Sequence, residues 1–238
     1  MKEHLRRAFR AAGIDIVRTR DRIEPLGFLR HFGIRTAIDV GANAGQFAHD
    51  IRRVLPEAHI HSFEPIKECF LELVASRRGD RHFSPYNFAL GDRAGMFVIN
   101  KNEYSPSSSL LKNTALLEEA FPHVGQTAKD EVEARTLDSV LSAQKLEKNI
   151  LLKLDVQGYE DRVLRGAERL LADVSVIIAE TSFYPLYAGQ ILFDGIYRTL
   201  AEKGFEYHGS LQSKRHPKTG EILFEDSIFS RRGLYKTD

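Results

Sequence analysis

Apolar residues along this chain keep two rhythms. Short runs near residues 36–40, 59–63, 83–90, 150–155 and 174–180 read as strands, and several are continuous apolar runs, as expected for a sheet covered on both faces. Between them apolar positions return every three or four residues. Phe47, Ala48, Ile51, Val54 and Leu55 form one such stripe, Val163, Leu164, Ala167, Leu170 and Leu171 a second, and Ile191, Leu192, Ile196 and Leu200 a third. Gly204 stands where the third helix should end. Strands alternating with helices predict an α/β fold: one doubly wound, mostly parallel sheet with right-handed crossovers. Near the end, FEYHGSL and EILFEDSIFSRR flank the polar KRHPKTG, which reads as a hairpin-like addition carrying a late antiparallel strand.

Two segments stand apart from this alternation. In residues 1–35, Leu5, Phe9, Ala12 and Ile16 share a helical stripe, with Arg6, Arg7 and Arg10 largely off it. That segment is expected to be helical, packing on the domain or on a second subunit of a homodimer, or touching an anionic membrane. The domain proper is then 36–238. From Asn100 to Asp130 the chain is polar with little sheet pattern, and long inserts of that kind are commonly lids over a substrate.

Composition narrows the picture. With 238 residues there is room for one sizeable α/β domain and little for a second. Lys plus Arg (34) nearly cancels Asp plus Glu (33), which argues against nucleic acid as a main partner. Cys69 is the one cysteine, so no intrachain disulfide or thiolate zinc cluster forms, and a cytoplasmic location fits. No stretch approaches the ~18 apolar residues of a transmembrane segment.

Candidate chemistry begins at TAIDVGANAGQF, Thr36 to Phe47, and HIHSFEP, His59 to Pro65. An apolar strand runs through Asp39 into Gly41 and Gly45 and then a helix, and the next strand ends on Glu64. Those parts build a nucleoside crevice at the carboxyl edge of a parallel sheet. Gly41 and Gly45 are separated by three residues, so this is not the G-x-G-x-x-G dinucleotide fingerprint, and with no G-K-[ST] it is not a P-loop. S-adenosyl-L-methionine has no phosphate and needs a tight turn with an acceptor for its ribose hydroxyls. Gly41 can supply the turn, Asn43 turns left-handed at low cost, and Glu64 can accept the ribose hydroxyls. Asp39 either balances the cationic end of such a ligand or caps the following helix. In SPYNFALGD, Asn87 and Ala89 fall where a strand end meets an adenine edge.

A second site signal is NILLKLDVQGYEDRVLRGA, Asn149 to Ala167. Leu151, Lys153 and Asp155 share one face of a strand. A lysine inside a core strand needs a partner, because leaving half of a buried pair typically costs ~3–5 kcal/mol. Asp155 is one candidate and Glu180, ending VSVIIAE, is another. The alternative is that Asp155 caps the next helix, with Glu160 and Asp161 favoured by its dipole. Asp155 and Glu180 together could also hold Mg²⁺. His61 reads as a core histidine. Tyr104, Phe121 and Ser107 to Ser109 in the insert, with Tyr184 and Tyr187 beyond AETSF, are candidates for recognising an acceptor.

Taken in order, IDVGANAGQF, FEP, NFALGD, SSSL, RTLDSVL, LLKLDVQGYEDRVLRGA and AETSF resemble the FkbM family of S-adenosylmethionine-dependent methyltransferases over roughly residues 36–206. The resemblance implies a class I methyltransferase sheet and methyl transfer to a hydroxyl of a small molecule such as a sugar, glycolipid or other natural product. By position it implies Asp39, Gly41, Asn43, Gly45, Glu64, Asn87 and Ala89 around the cofactor. Asp155, with Lys153 and Glu180, would line the reaction centre. A nicotinamide-dependent oxidoreductase on a similar sheet, or a non-catalytic S-adenosylmethionine-binding protein, are the competing readings.

Overall fold

A computed structural model of the chain describes residues 25–102, 105–142 and 144–234. Thr36–Val40 (β1) is buried at all five positions and Val174–Ser182 (β8) at all nine, so both need cover above and below. They receive it inside a seven-stranded sheet. Its other members are His59–Phe63 (β2), Phe83–Tyr86 (β3), Ile150–Leu154 (β7), Phe205–Arg215 (β9) and Ile222–Arg231 (β10), in the order β3-β2-β1-β7-β8-β10-β9. Strands β3 to β8 of that order run parallel, while β10 runs antiparallel to both β8 and β9. The late hairpin expected from the sequence is therefore present, and its second strand, not its first, pairs with β8.

Helices cover each face through the predicted stripes. Gln46–Val54 (α1) and the 3-10 turn Gly27–Phe32 bury Ala48, Ile51, Val54, Leu29 and Phe32 against Ala37, Ile60, Leu151 and Ile178. On the opposite face Leu137–Leu141 (α4), Glu160–Arg165 (α5) and Phe193–Glu202 (α6) set Leu137, Val163, Leu164, Ile196 and Leu200 against Ile38, Leu152, Leu154 and Ile177. Lys67–Ser76 (α2) connects β2 to β3. Gly204, at φ +84, ends α6 as expected. The second predicted stripe is split: α5 stops at Arg165, and Leu170 and Leu171 belong to the 3-10 turn Leu170–Asp173. A Cβ on Gly166 between them would lie 2.0 Å from the Gly91 carbonyl oxygen.

Two expectations change. Residues 83–90 are two strands, because the chain leaves the main sheet at Asn87 and Ala89–Leu90 (β4) joins a second sheet. That sheet, β4-β6-β5, contains Gly95–Asn102 (β5) and Gln126–Arg135 (β6). Both ends of the supposedly patternless insert are thus paired, from Gly95↔Ala134 to Asn102↔Gln126. Backbone ladders hold β6, and the apolar alternation that marks a strand is confined to its last five residues, where Val132 and Ala134 are buried between exposed Glu131, Glu133 and Arg135. The short helix Ala115–Ala120 (α3), capped by Thr114, lies between β5 and β6. The basic stripe Leu5 to Ile16, and Tyr104, lie outside the described residues. Among the described residues no helix is long and apolar enough to cross a membrane.

Candidate active site

The carboxyl ends of β1, β2, β7 and β8 share one edge of the sheet, and the loops leaving β1, β2 and β7, with residues 88–90, 108–110 and Asp226, build a cavity of about 530 Å³. Its floor exists because residue 41 is glycine. Gly41 has φ +81, and a Cβ there would lie 1.8 Å from the carbonyl oxygen of Asp155, so the loops after β1 and β7 touch through backbone alone. Gly41 and Ala42 N–H groups both donate to the Phe63 carbonyl at 3.0 Å. Asn43 takes the left-handed conformation at φ 46, and its Oδ1 accepts the Ala44 N–H at 2.8 Å. Gly45, at φ +92, faces α2 rather than the cavity, with room for no Cβ beside Leu73 and Ser76.

Glu64 ties the first two loops together. Its Oε2 accepts the Asn43 N–H and its Oε1 the Ile66 N–H, each at 2.8 Å. Burial pushes its carboxyl up to about 7 despite those bonds. Each oxygen keeps an acceptor site, and the residue lines the cavity. Ala89 lines it too, between Phe88 and Leu90. Asn87 does not: it is exposed, and its amide donates to the Glu64 and Pro65 carbonyls at 2.9 and 3.0 Å, pinning the backbone from which Glu64 projects.

Under the cavity lies a chain of charges. Asp39 is fully buried, accepts Ser62 Oγ at 3.3 Å, and has an Oδ1 with no hydrogen-bond partner. Burial raises it to about 6, against the pull of Lys153, whose Nζ stands 3.9 Å from Oδ1. The Lys153 ammonium donates to Asp155 Oδ2 at 3.0 Å. Burial works against its charge, but Asp155 and Asp39 outweigh burial and hold it above the ordinary lysine value. Of the two partners open to Lys153 in the sequence, Asp155 is the one it takes.

Gln157 is the residue that sequence reasoning missed. It sits at φ 55, in left-handed backbone unusual for a side chain of its kind. Its Nε2 donates to Asp155 Oδ1 at 2.7 Å and lies 3.2 Å from both Glu180 oxygens. Tyr187 OH donates to its Oε1, and Ser109 Oγ to its backbone carbonyl at 2.6 Å. Glu180 is buried and held well above the ordinary carboxyl range, by burial first and then by Asp155, Glu160 and Asp226. It borders not the main cavity but a smaller one of about 220 Å³ behind Gln157. Glu160 opens the first turn of α5, where an acid favours the helix dipole; it is buried, and its Oε1 accepts the Val156 and Gly158 N–H groups.

Asp226 also went unread. It lies opposite Glu180 on β10, borders the main cavity and accepts Gln212 Nε2 at 2.6 Å, with burial raising its carboxyl. The polar EDS inside the apolar ILFEDSIFS was the available signal. Mg²⁺ does not fit the pair proposed for it. The Gln157 amide nitrogen, a donor, occupies the space between Asp155 and Glu180, and the described residues contain no group of three or more His, Cys, Asp or Glu side chains able to hold a metal. His61 is a buried strand residue, Nδ1 3.1 Å from Tyr86 OH, driven down to about 4 by burial. Ser108 and Ser109 line the main cavity; Ser107, Phe121, His123 and Tyr187 line the smaller one; Tyr184 bonds Glu221 instead.

The sequence profile of the methyltransferase FkbM domain matches residues 39–207. Methyltransferase sdnD of Sordaria araneosa is 30% identical over 154 residues, 55% of this chain, and the chain spans 60% of that relative's length. Among solved structures, TehB from Haemophilus influenzae has a TM-score of 0.47 at 8% identity, covering 90% of this chain and 64% of that one. Fibrillarin from Aeropyrum pernix, with natively bound S-adenosyl-L-methionine, has a TM-score of 0.42 at 13% identity, covering 82% and 66%. On the profile match, which takes in β1 through the start of β9, this chain belongs to the FkbM methyltransferase family.

Proposed function

We propose that the main cavity binds S-adenosyl-L-methionine and that the enzyme methylates a hydroxyl oxygen of a small organic acceptor, a sugar, glycolipid or other natural product. The observation that carries this reading is the charge around the cavity. Asp39, Glu64, Asp155 and Asp226 lie at it or beneath it, and Lys153 is the one cation among its described lining residues. Such a site suits a ligand with a net positive charge and repels a pyrophosphate. The parts also fit the cofactor group by group. Glu64 is placed for the ribose hydroxyls, the strand end around Ala89 for the adenine edge, and the Gly41–Asn43 turn with the unpartnered Asp39 oxygen for the amino-acid end.

Bound there, S-adenosyl-L-methionine supplies an electrophilic methyl group whose departure leaves a neutral thioether. The protein's own task is to place and deprotonate the acceptor. Alignment alone can contribute on the order of 7–11 kcal/mol. Asp155 is the base in this scheme. Lys153 and Gln157 each hold one of its oxygens, which fixes the orientation of the carboxylate. It takes the proton of the acceptor hydroxyl as the oxygen–carbon bond forms, a contribution of about 10²–10⁴-fold. Glu180, whose carboxyl is raised by burial first and then by Asp155, Glu160 and Asp226, is given no part in the proton transfer.

Calorimetry separates this reading from a nicotinamide enzyme. S-adenosylmethionine and S-adenosylhomocysteine should bind and NAD should not; binding of NAD alone overturns the assignment. A panel of hydroxylated compounds incubated with methyl-labelled cofactor then tests the oxygen acceptor, and label appearing only on nitrogen or carbon would refute it.

A further inference from the structure

The smaller cavity, about 220 Å³, has a use that the cofactor site does not exhaust. Its walls are Leu117, Phe121, Val124, Leu186 and Phe224, drawn from the insert, the loop after β8, and β10. Its polar lining is Gln157, Glu180 and Tyr187, together with Ser107, His123 and Lys214. Gln157 is the partition between the two cavities, since one nitrogen touches Asp155 in the first and Glu180 in the second. A ring held against that partition keeps a substituent within one side chain of Asp155.

The cavity is built rather than incidental. Insert and loop are stitched together by Thr114 N–H to the Leu186 carbonyl at 2.9 Å, Ala188 N–H to the Lys112 carbonyl at 2.8 Å, and Thr114 Oγ1 to the Pro185 carbonyl at 2.8 Å. Leu117, Val124 and Leu186 are each no more than 3% exposed. Pockets of this make, apolar walls with a few convergent polar groups, are the usual form of small-molecule sites. At ~30 Å³ per water the volume equals about seven waters, the scale of one substituted six-membered ring.

We propose that this cavity receives the body of the methyl acceptor and selects an alicyclic or aromatic six-membered ring with few hydroxyls, rather than a fully hydroxylated hexose. The inference rests on the methyl-transfer reading and narrows its acceptor class. A hexose carries hydroxyls around its whole rim, and those turned toward Leu117, Val124, Leu186 and Phe224 meet side chains with no partner to offer. A ring with one or two hydroxyls can direct them to Gln157 and Glu180 and lay its apolar face on those walls.

The test is ligand-observed NMR on the full chain, with and without S-adenosylhomocysteine, using cyclohexanol, phenol and methyl α-D-glucopyranoside as probes. Cyclohexanol and phenol should receive saturation, and the glucoside should bind at least about tenfold more weakly. Val124→Phe fills the cavity from a residue that does not border the cofactor site, so it should remove the cyclohexanol signal and leave S-adenosylhomocysteine affinity unchanged. Should that variant fail to fold, Phe224→Ala, on a partly exposed side chain, opens one wall and should weaken phenol about tenfold. The inference is overturned by glucoside binding as tightly as cyclohexanol, by a cyclohexanol signal that survives Val124→Phe, or by phenol affinity unchanged in Phe224→Ala. S-adenosylhomocysteine binding without ring binding overturns this inference alone. Absence of S-adenosylhomocysteine binding overturns the reading of the main cavity, and this one with it.

Discussion

Glu64 makes cofactor binding a proton-coupled event. In the free protein burial raises its carboxyl from 4.5 to about 7. A raised acid contributes stability that is fully present below its ordinary value and is lost as pH rises through about 7. Two ribose hydroxyls donating to the ionised carboxylate reverse that balance and return the group toward its ordinary value. A return of roughly 2.5 pH units corresponds to about 3 kcal/mol. Binding should then release about 0.5 proton at pH 7, roughly 0.9 at pH 6 and almost none at pH 8.5, with affinity falling about tenfold from pH 8.5 to pH 6. Calorimetry of S-adenosylhomocysteine in buffers of different ionisation enthalpy measures the proton count directly. Glu64→Gln keeps the shape and cannot ionise, so the release at pH 7 should fall by that half proton. Wild-type binding without proton release at pH 7, or release undiminished in Glu64→Gln, would refute the ribose assignment.

Gly41→Ala should destabilise the fold by about 3 kcal/mol or more, since φ +81 and a Cβ at 1.8 Å from the Asp155 carbonyl oxygen leave it no place; a melting temperature near wild type would contradict this. Asp155→Asn should retain S-adenosylhomocysteine affinity and lose about 10²–10⁴-fold in methyl transfer to an acceptor from the panel, a fully active variant excluding Asp155 as base. Gln157→Ala removes the amide that serves Tyr187 OH, Asp155 Oδ1 and Glu180, so chemical denaturation should show a loss of about 2–3 kcal/mol. His61, held down to about 4 from 6.5, contributes stability that is present above 6.5 and lost as pH falls through 4. His61→Phe keeps the ring beside Tyr86 and should remove about 3 kcal/mol of that acid dependence, read from denaturation midpoints at pH 7 and pH 4.

How far the sequence reached depended on what each residue has to do. The strands β1, β2, β7 and β8 were legible because burial on both faces forces apolar residues at nearly every position. The turn at Gly41 and the acids Asp39, Glu64 and Asp155 were legible because a cavity at strand ends recruits them at fixed offsets. β5 and β6 were not, since their ladder is made by backbone groups that every residue carries. Asp226 was hidden for a topological reason: a sequence does not state that its last strand slips in beside β8. Gln157 was hidden in plain view. DVQGYE directs attention to its carboxylates, whereas the amide between two of them does its work from a left-handed backbone that glutamine seldom adopts.

The placement of β10 between β8 and β9 constrains the order in which the chain assembles. If β9 docked on β8 first, the sheet would close and β10 would have only an outer edge left. The hairpin of β9 and β10 must therefore zip first, through the short 216–221 connection, or dock as one unit with β10 leading. Asp226 arrives only with that docking, so the wall it contributes to the main cavity is missing from any intermediate that has paired just the five parallel strands. Such an intermediate would hold Asp39, Glu64 and Asp155 and still lack a complete site. Hydrogen exchange should find β9 and β10 opening together, ahead of β1 and β7.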